Sequence, residues 1–460
     1  MATNDTVRNY LAEAKKNLKN QPLRSYREGL YEHYRTVNNT LDTFFAQHKL
    51  LKDRVVFSKY NAIEKLEYYI RQFEFIFMRR GGKVLWANDV QEAQSQIVNI
   101  LKSKGINRIA TANSKTLDEL QITRILPQND ISCLSTECNA FYQQQTKTPT
   151  HSAHYPILST DFKAVATAVQ KSMDLQDKDI AETIDGIKRY LLDQMNTIKA
   201  SIVGANFLIS DIGGIILCEN QGNITMNIAF SDVLFVVCGI DKIVPKIDDL
   251  ERYLTLLSAH TSGTMLPWQT HILTSPSREE KSDIPREIYV ILLDNKRSEV
   301  MKHVKQRQIL RCIRCGACAA VCPVYRHVGD EPYRSVYAGP IGAVVNPFMQ
   351  NFENTVHQAY ACTLCKQCTE VCPMNIPIHE LILQNRQEAV KRECYVTFDR
   401  TQIRRLRKMM LARTAMDSTF NNFILRNNFK HLVGDQRVFP NIGQPSFSER
   451  YIEKYRLKSE

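Results

Sequence analysis

The chain has 460 residues, 43% hydrophobic and 23% charged, and its 60 Lys and Arg against 48 Asp and Glu give a formal net charge of +12. At roughly 150 residues per domain this length makes two or three domains, and the composition excludes a mainly disordered chain. The charge is uneven: residues 1–300 hold 36 basic and 35 acidic side chains, whereas residues 301–460 hold 24 and 13. A basic excess invites a nucleic-acid reading, but no helix-turn-helix, zinc-finger or RRM pattern presents it, so no nucleic-acid partner is expected.

The first residues carry no basic n-region or apolar h-region, and no apolar run approaches the roughly 18 residues of a spanning helix. A cytoplasmic protein with reduced thiols is expected. Residues 1–60 read as a helical segment, with Tyr26, Leu30, Tyr34, Val37, Leu41, Phe44 and Phe45 near helical spacing and expected to pack on their own domain. Residues 61–300 alternate helices and short apolar runs. Helices are expected at Ile63 to Met78 and Val90 to Lys104, and strands at Lys83–Ala87, Arg108–Thr111, Asn206–Ser210, Gly214–Cys218, Asn223–Ile228, Val233–Val237 and Ile288–Leu293. This pattern predicts an α/β domain with an open sheet and helices on both faces. Beyond Ser298 the strand signal stops. Residues 301–395 read as an all-α domain, and residues 396–460 as a basic extension with a helix around Thr401–Thr414.

Eight of the 13 cysteines fall in two blocks of identical spacing: Cys312, Cys315, Cys318, Cys322-Pro323 and Cys362, Cys365, Cys368, Cys372-Pro373. Each reads C-x2-C-x2-C-x3-C-P. Three cysteines spaced by two residues can wrap three corners of an iron–sulfur cube. The fourth follows once a helix has begun and points away; in two-cluster ferredoxins with this run it ligates the other cluster. The expected sets are Cys312, Cys315, Cys318 and Cys372 for one [4Fe–4S] cluster, and Cys362, Cys365, Cys368 and Cys322 for the second. Zinc prefers tetrahedral sites built from separated pairs, which three closely strung cysteines suit poorly. Pro323 and Pro373 are expected to turn the chain away, having no N–H to donate. The 39-residue linker from Pro323 to Ala361 suits a helical ferredoxin, in which each cluster sits between helix ends. Cys218, Cys238 and Cys394 read as packing thiols, and Cys133 and Cys138 match no strong motif.

Other candidates are weaker. Asp211, Glu219 and Asn220 lie near expected strand ends among Gly213, Gly214 and Gly222, where open α/β sheets place ligands, and form a candidate ligand pocket. His151 and His154 are more simply solvated or capping residues. Arg404, Arg405, Arg407 and Lys408 precede Met409, Met410 and Leu411, a pattern that suits an acidic partner or peripheral contact with an anionic membrane surface. Dinucleotide, P-loop and nucleophile-elbow motifs are lacking, so no catalytic residue is assigned.

Arg311 to Cys318, Val321 to Arg326, Ser335 to Val344 and Thr369 to His379 resemble the LutB (LldF) family of lactate-utilisation iron–sulfur proteins. So do Val84 to Ala87, Cys218 to Asn223 and Leu292 to Arg297, so that the resemblance covers roughly residues 60–395, and Pro445 to Ser448 looks like the family's C-terminal extension. It implies a LUD domain, like CoA-transferase and sugar-phosphate isomerase domains, followed by the two-cluster ferredoxin. It also implies an electron-carrying rather than catalytic role in oxidation of L-lactate to pyruvate, beside LutA-type cysteine-rich and LutC-type LUD partners. A heterodisulfide-reductase-like assembly sharing only the ferredoxin module is the alternative. The chain departs from the family pattern at Thr111 to Asp118, Ser135 to Ala140 and Ser210 to Gly213, where a LUD pocket would be lined.

Overall fold

The computed structural model describes residues 4–21, 49–112, 114–137, 180–277 and 284–394, with scattered positions between them, and parts of 404–411 and 445–456. Residues 1–394 form one compact unit and residues 395–460 a second. The aromatic stripe from Tyr26 to Phe45, the histidines 151 and 154, Cys138 and most of the basic helix near residue 404 lie outside the described residues.

Ten strands are described: β1 (Lys83–Ala87), β2 (Arg108–Thr111), β3 (Ser132–Ser135), β4 (Ala200–Gly204), β5 (Phe207–Ile209), β6 (Gly214–Glu219), β7 (Val233–Gly239), β8 (Ile243–Val244), β9 (Gln269–Leu273) and β10 (Glu287–Leu293). Six form a wholly parallel sheet in the order β1-β10-β7-β4-β2-β3. The other four form a mixed sheet, β8-β5-β6-β9. A parallel sheet covered on both faces needs near-continuous apolar strands, and Val233 to Gly239 is buried at every position. Leu234, Val236 and Cys238 face one side, against the mixed sheet and the helix Leu66–Arg79. Val233, Phe235 and Val237 face the other, against the helix Val90–Ser103.

The expected strand Asn223–Ile228 is instead the helix Asn223–Ala229. Gly222 adopts φ +75° at its N-cap, and the Glu219 carboxylate accepts hydrogen bonds from the Ile224 and Thr225 N–H groups. A capped N-terminus outweighs the β-propensity of two isoleucines. The helix expected from Ile63 is two helices, Lys49–Glu64 and Leu66–Arg79, parted at Lys65. Strands β3, β4, β8 and β9 were not expected. They are two to five residues long and are fixed by pairing with neighbouring strands rather than by a local pattern.

No strand follows β10 among the described residues. The chain passes into the helices Arg297–Lys302, Pro323–Val328, Gly339–Met349 and Ile378–Lys391 and several single turns. This module is continuous with the α/β part. Phe207, Ile209 and Ile216 of the mixed sheet and Tyr253 and Leu257 of the helix Leu250–Ser262 share one core with Ile309, Ile313, Tyr337, Ile341 and Leu381. The helix Asn4–Lys19 packs on the helical module: Tyr10 meets Tyr333 edge-on at 5.6 Å, and Asn17 Nδ2 donates to Val328 O at 2.7 Å.

A buried charge network locks the two parts together. Asp241, Arg297 and Glu119 follow the carboxyl ends of β7, β10 and β2. Arg297 donates to Glu119 Oε1 at 2.7 Å and to Asp241 Oδ1 at 2.6 Å. Tyr337 Oη donates to Glu119 and Arg314 Nη2 to Asp241 Oδ2 at 3.4 Å, both from the helical module. Lys59 Nζ donates to the Asp241 carbonyl. Burial alone would raise the carboxylates' pKa values, but Arg297 holds Glu119 below the usual range, and Arg297 with Arg314 holds Asp241 down to about 2. Burial likewise pushes Lys59 down to about 8, against the pull of Asp241. Gly239 makes the close approach feasible: a Cβ there would lie 2.6 Å from Asp241 Oδ1 and 2.7 Å from Arg297 Nε.

Two stability predictions follow from this joint. Arg297→Met strands Glu119 and Asp241 and should cost about 3–5 kcal/mol in urea unfolding, whereas Arg71→Ala, which removes an exposed pair with Glu67, should cost under about 1 kcal/mol. Gly239→Ala should cost about 1–3 kcal/mol by overpacking; wild-type stability in either Arg297→Met or Gly239→Ala would show that the joint is not under constraint.

Candidate iron–sulfur sites

Each cysteine block builds the same backbone. The residue two after the first cysteine is left-handed in both, Arg314 at φ +62° and Leu364 at φ +57°. The residue after the second cysteine is left-handed too, Gly316 at φ +80° and Lys366 at φ +68°. A short helix then begins, Ala317–Ala320 in one block and Gln367–Glu370 in the other. These turns aim amides at sulfur: Arg314 N–H donates to Cys312 Sγ at 3.4 Å, and Leu364 N–H to Cys362 Sγ at 3.3 Å. Non-glycine residues tolerate this conformation only where the surroundings enforce it. Pro323 opens a helix as its first residue, and Cys322 Sγ accepts from Tyr325 N–H at 3.5 Å. There the missing N–H is tolerated rather than used as a stop.

The cavity lining draws on both blocks. One cavity is lined by Cys312, Cys315 and Cys318 of the first block together with Cys372 of the second, walled by Ile341, Met374 and Ile376. Cys322, in turn, lies in the electrostatic field of Cys362 and Cys365, and Cys368 in that of Cys322, Cys362 and Cys365. Cys315, Cys368 and Cys372 are buried, Cys312, Cys318, Cys322 and Cys362 are half-buried, and Cys365 is exposed. Among the described residues no three His, Cys, Asp or Glu side chains are grouped to hold a single metal ion; Cys312, Cys315, Cys318 and Cys372 surround a space instead.

Burial pushes the thiol pKa values up: Cys372 and Cys322 to about 11, held back by backbone N–H donors, and, with neighbouring thiols adding to it, Cys368 to about 12 and Cys315 and Cys318 higher. Coordination to cationic metal centres would offset the cost of thiolate charge at such buried sulfurs. The all-sulfur donor set, the surrounding apolar wall and the amides aimed at sulfur fit a [4Fe–4S] cluster. Supporting contacts come from Arg386 Nη2, which donates to Cys362 O at 2.6 Å, and Thr261 Oγ1, which donates to Cys315 O at 3.2 Å.

Of the candidate ligand-pocket residues, Asp211 is placed apart from the adjacent Glu219 and Asn220. Asp211 sits in the β5–β6 turn, where its carboxylate accepts from Ile247 N–H at 3.1 Å. Glu219 ends β6, six residues long, roughly 20 Å of strand away. Its carboxylate caps the following helix and accepts from Thr225, with His271 Nε2 at 2.9 Å. Asn220 Oδ1 accepts from Trp268 N–H. At the carboxyl edge of the parallel sheet, where such sheets hold ligands, Arg314 and Tyr337 of the helical module occupy the space. The buried cluster of Glu119, Asp241, Lys59 and Arg297 was not found from sequence. Only Arg297 lay in a recognisable segment, and Asp241 and Lys59 carry no local signal. Cys238 is buried in β7, and Cys394 is buried beside Phe352 and Ala389.

Comparison with known proteins agrees with this architecture. Residues 70–293 match the LUD domain model and residues 308–376 the 4Fe-4S dicluster domain model. The chain is 32% identical over 336 residues to Lactate utilization protein B of Anoxybacillus flavithermus, covering 72% of this chain and 71% of that one. It is also 32% identical to the protein of that name from a Geobacillus species, covering 72% and 70%. A duf162 family crystal structure from Deinococcus radiodurans aligns at 14% identity over 50% of this chain and 98% of its own, with a TM-score of 0.27, too low to bear on the fold. With both domains matched in order and the curated relatives aligned over more than two thirds of their length, the chain belongs to the lactate utilization protein B family.

Proposed function

We propose that this chain is the iron–sulfur electron-transfer subunit of a complex that oxidises L-lactate to pyruvate, with the chemical step held by a partner. The observation that carries the reading is the cavity lined by three cysteines of one block and the last cysteine of the other. Cys312, Cys315, Cys318 and Cys372 would hold an inner [4Fe–4S] cluster, and Cys322, Cys362, Cys365 and Cys368 an outer one. When bound, the two clusters supply two one-electron sites, matching the two electrons that leave a 2-hydroxy acid as it becomes a 2-oxo acid.

The protein's own residues hold and expose these sites. The Arg314 and Leu364 amides donate to ligand sulfurs, and Arg386 fixes the outer loop through the Cys362 carbonyl. Thr363, Cys365, Lys366 and Gln367 are exposed, giving a redox partner close access to the outer site. LutA-type and LutC-type proteins are the partners this reading calls for. Peripheral contact with an anionic membrane through the basic extension belongs to the same reading, and no described helix is long and apolar enough to cross a membrane.

Anaerobically reconstituted protein should lose about half of its iron in Cys315→Ser and in Cys365→Ser, and the double variant should lose both the cluster EPR signal and lactate-dependent reduction in the presence of the partner proteins. Full iron content and an undiminished signal in the double variant would overturn the ligand assignment. Exhaustive iron chelation of the wild type should likewise remove electron uptake while leaving the parallel sheet folded by circular dichroism.

A further inference from the structure

The two cysteine loops share a backbone but differ at one buried side chain. The left-handed position between the first and second cysteines is Arg314 in one loop and Leu364 in the other. Arg314 is 11% exposed at its side chain and turns toward the α/β part. Its guanidinium lies 4.4 Å over the Tyr337 ring and reaches Asp241 at 3.4 Å, while Nε and Nη1 have no hydrogen-bond partner in the protein. Cations outnumber carboxylates around it: Arg314, Arg297, Lys59 and the buried Lys242 all share the field of Asp241, and Arg297 also pairs with Glu119. A buried surplus cation is costly unless an anion is near, and an anionic thiolate-bound cluster at Cys312 and Cys315 is the group placed to supply it. At the corresponding position the outer loop carries the apolar Leu364; its cation, Arg386, is instead held by the Cys362 and Ala359 carbonyls.

Resting on the two-cluster reading above, we infer that Arg314 is a positioning residue that raises the reduction potential of the inner cluster selectively, so that electrons are drawn inward from the exposed outer site. Reduction adds one negative charge to an already anionic centre, and a nearby buried cation favours it while burial in a low-dielectric wall opposes it. Arg314 thus offsets the burial of the inner site, and Asp241 sets how much of its charge is felt.

The test is an anaerobic EPR-monitored redox titration of the full chain with its clusters, the inner transition being the one lost in Cys315→Ser. Arg314→Gln should lower that transition by at least tenfold in its reduction equilibrium, about 59 mV for one electron, and change the outer one less than twofold. Asp241→Asn should move the same transition the other way, a sign reversal that a merely structural role would not produce. If Arg314→Gln fails to take up iron, Asp241→Asn decides alone. An unmoved inner transition, or equal shifts of both transitions, overturns the inference; wild-type protein that shows no cluster signal overturns the two-cluster reading instead.

Discussion

A charge taken out of water must be paired, and that constraint organises this molecule. Arg297 could be buried at the end of the parallel sheet only with Glu119 and Asp241 beside it. Those carboxylates also engage Tyr337 and Arg314, which belong to the cysteine-bearing module. The ionic joint is surrounded by a shared apolar core in which Phe207 and Tyr253 lie with Ile313 and Ile341. Removing one partner from such a joint costs far more than the pair contributes when intact, so the cysteine loop is held in a fixed position against the sheet.

The same joint bears on the α/β domain. Open α/β sheets bind ligands at the carboxyl ends of their strands. Here that edge carries the ion network and receives Arg314 and Tyr337 from the next module. Asp211 and Glu219, far apart on the β5–β6 hairpin, are spent on capping neighbouring turns. The sheet is thereby a mounting for the first cysteine loop.

Much of this was legible in the sequence wherever the signal is local. The doubled C-x2-C-x2-C-x3-C-P marks the dicluster module directly, because donor type and spacing are local. The long apolar strands β7 and β10 and the helix capped by Asp89 were readable for the same reason. Non-local features were not readable. The helix Asn223–Ala229 resembles a strand until Glu219 is seen capping it. The short strands β3 and β4 depend on pairing with β2. Lys59 and Asp241 meet across 182 residues of chain, a separation at which no periodicity or spacing rule operates.

The central claim is that the two blocks exchange their fourth cysteines. EPR and Mössbauer spectra of Cys372→Ser test it most directly. The account predicts damage to the same cluster that Cys315→Ser destroys, with the cluster dependent on Cys365 left intact. Damage instead to the Cys365-dependent cluster, with the Cys315-dependent one unchanged, would mean that each block closes on itself and would contradict the account.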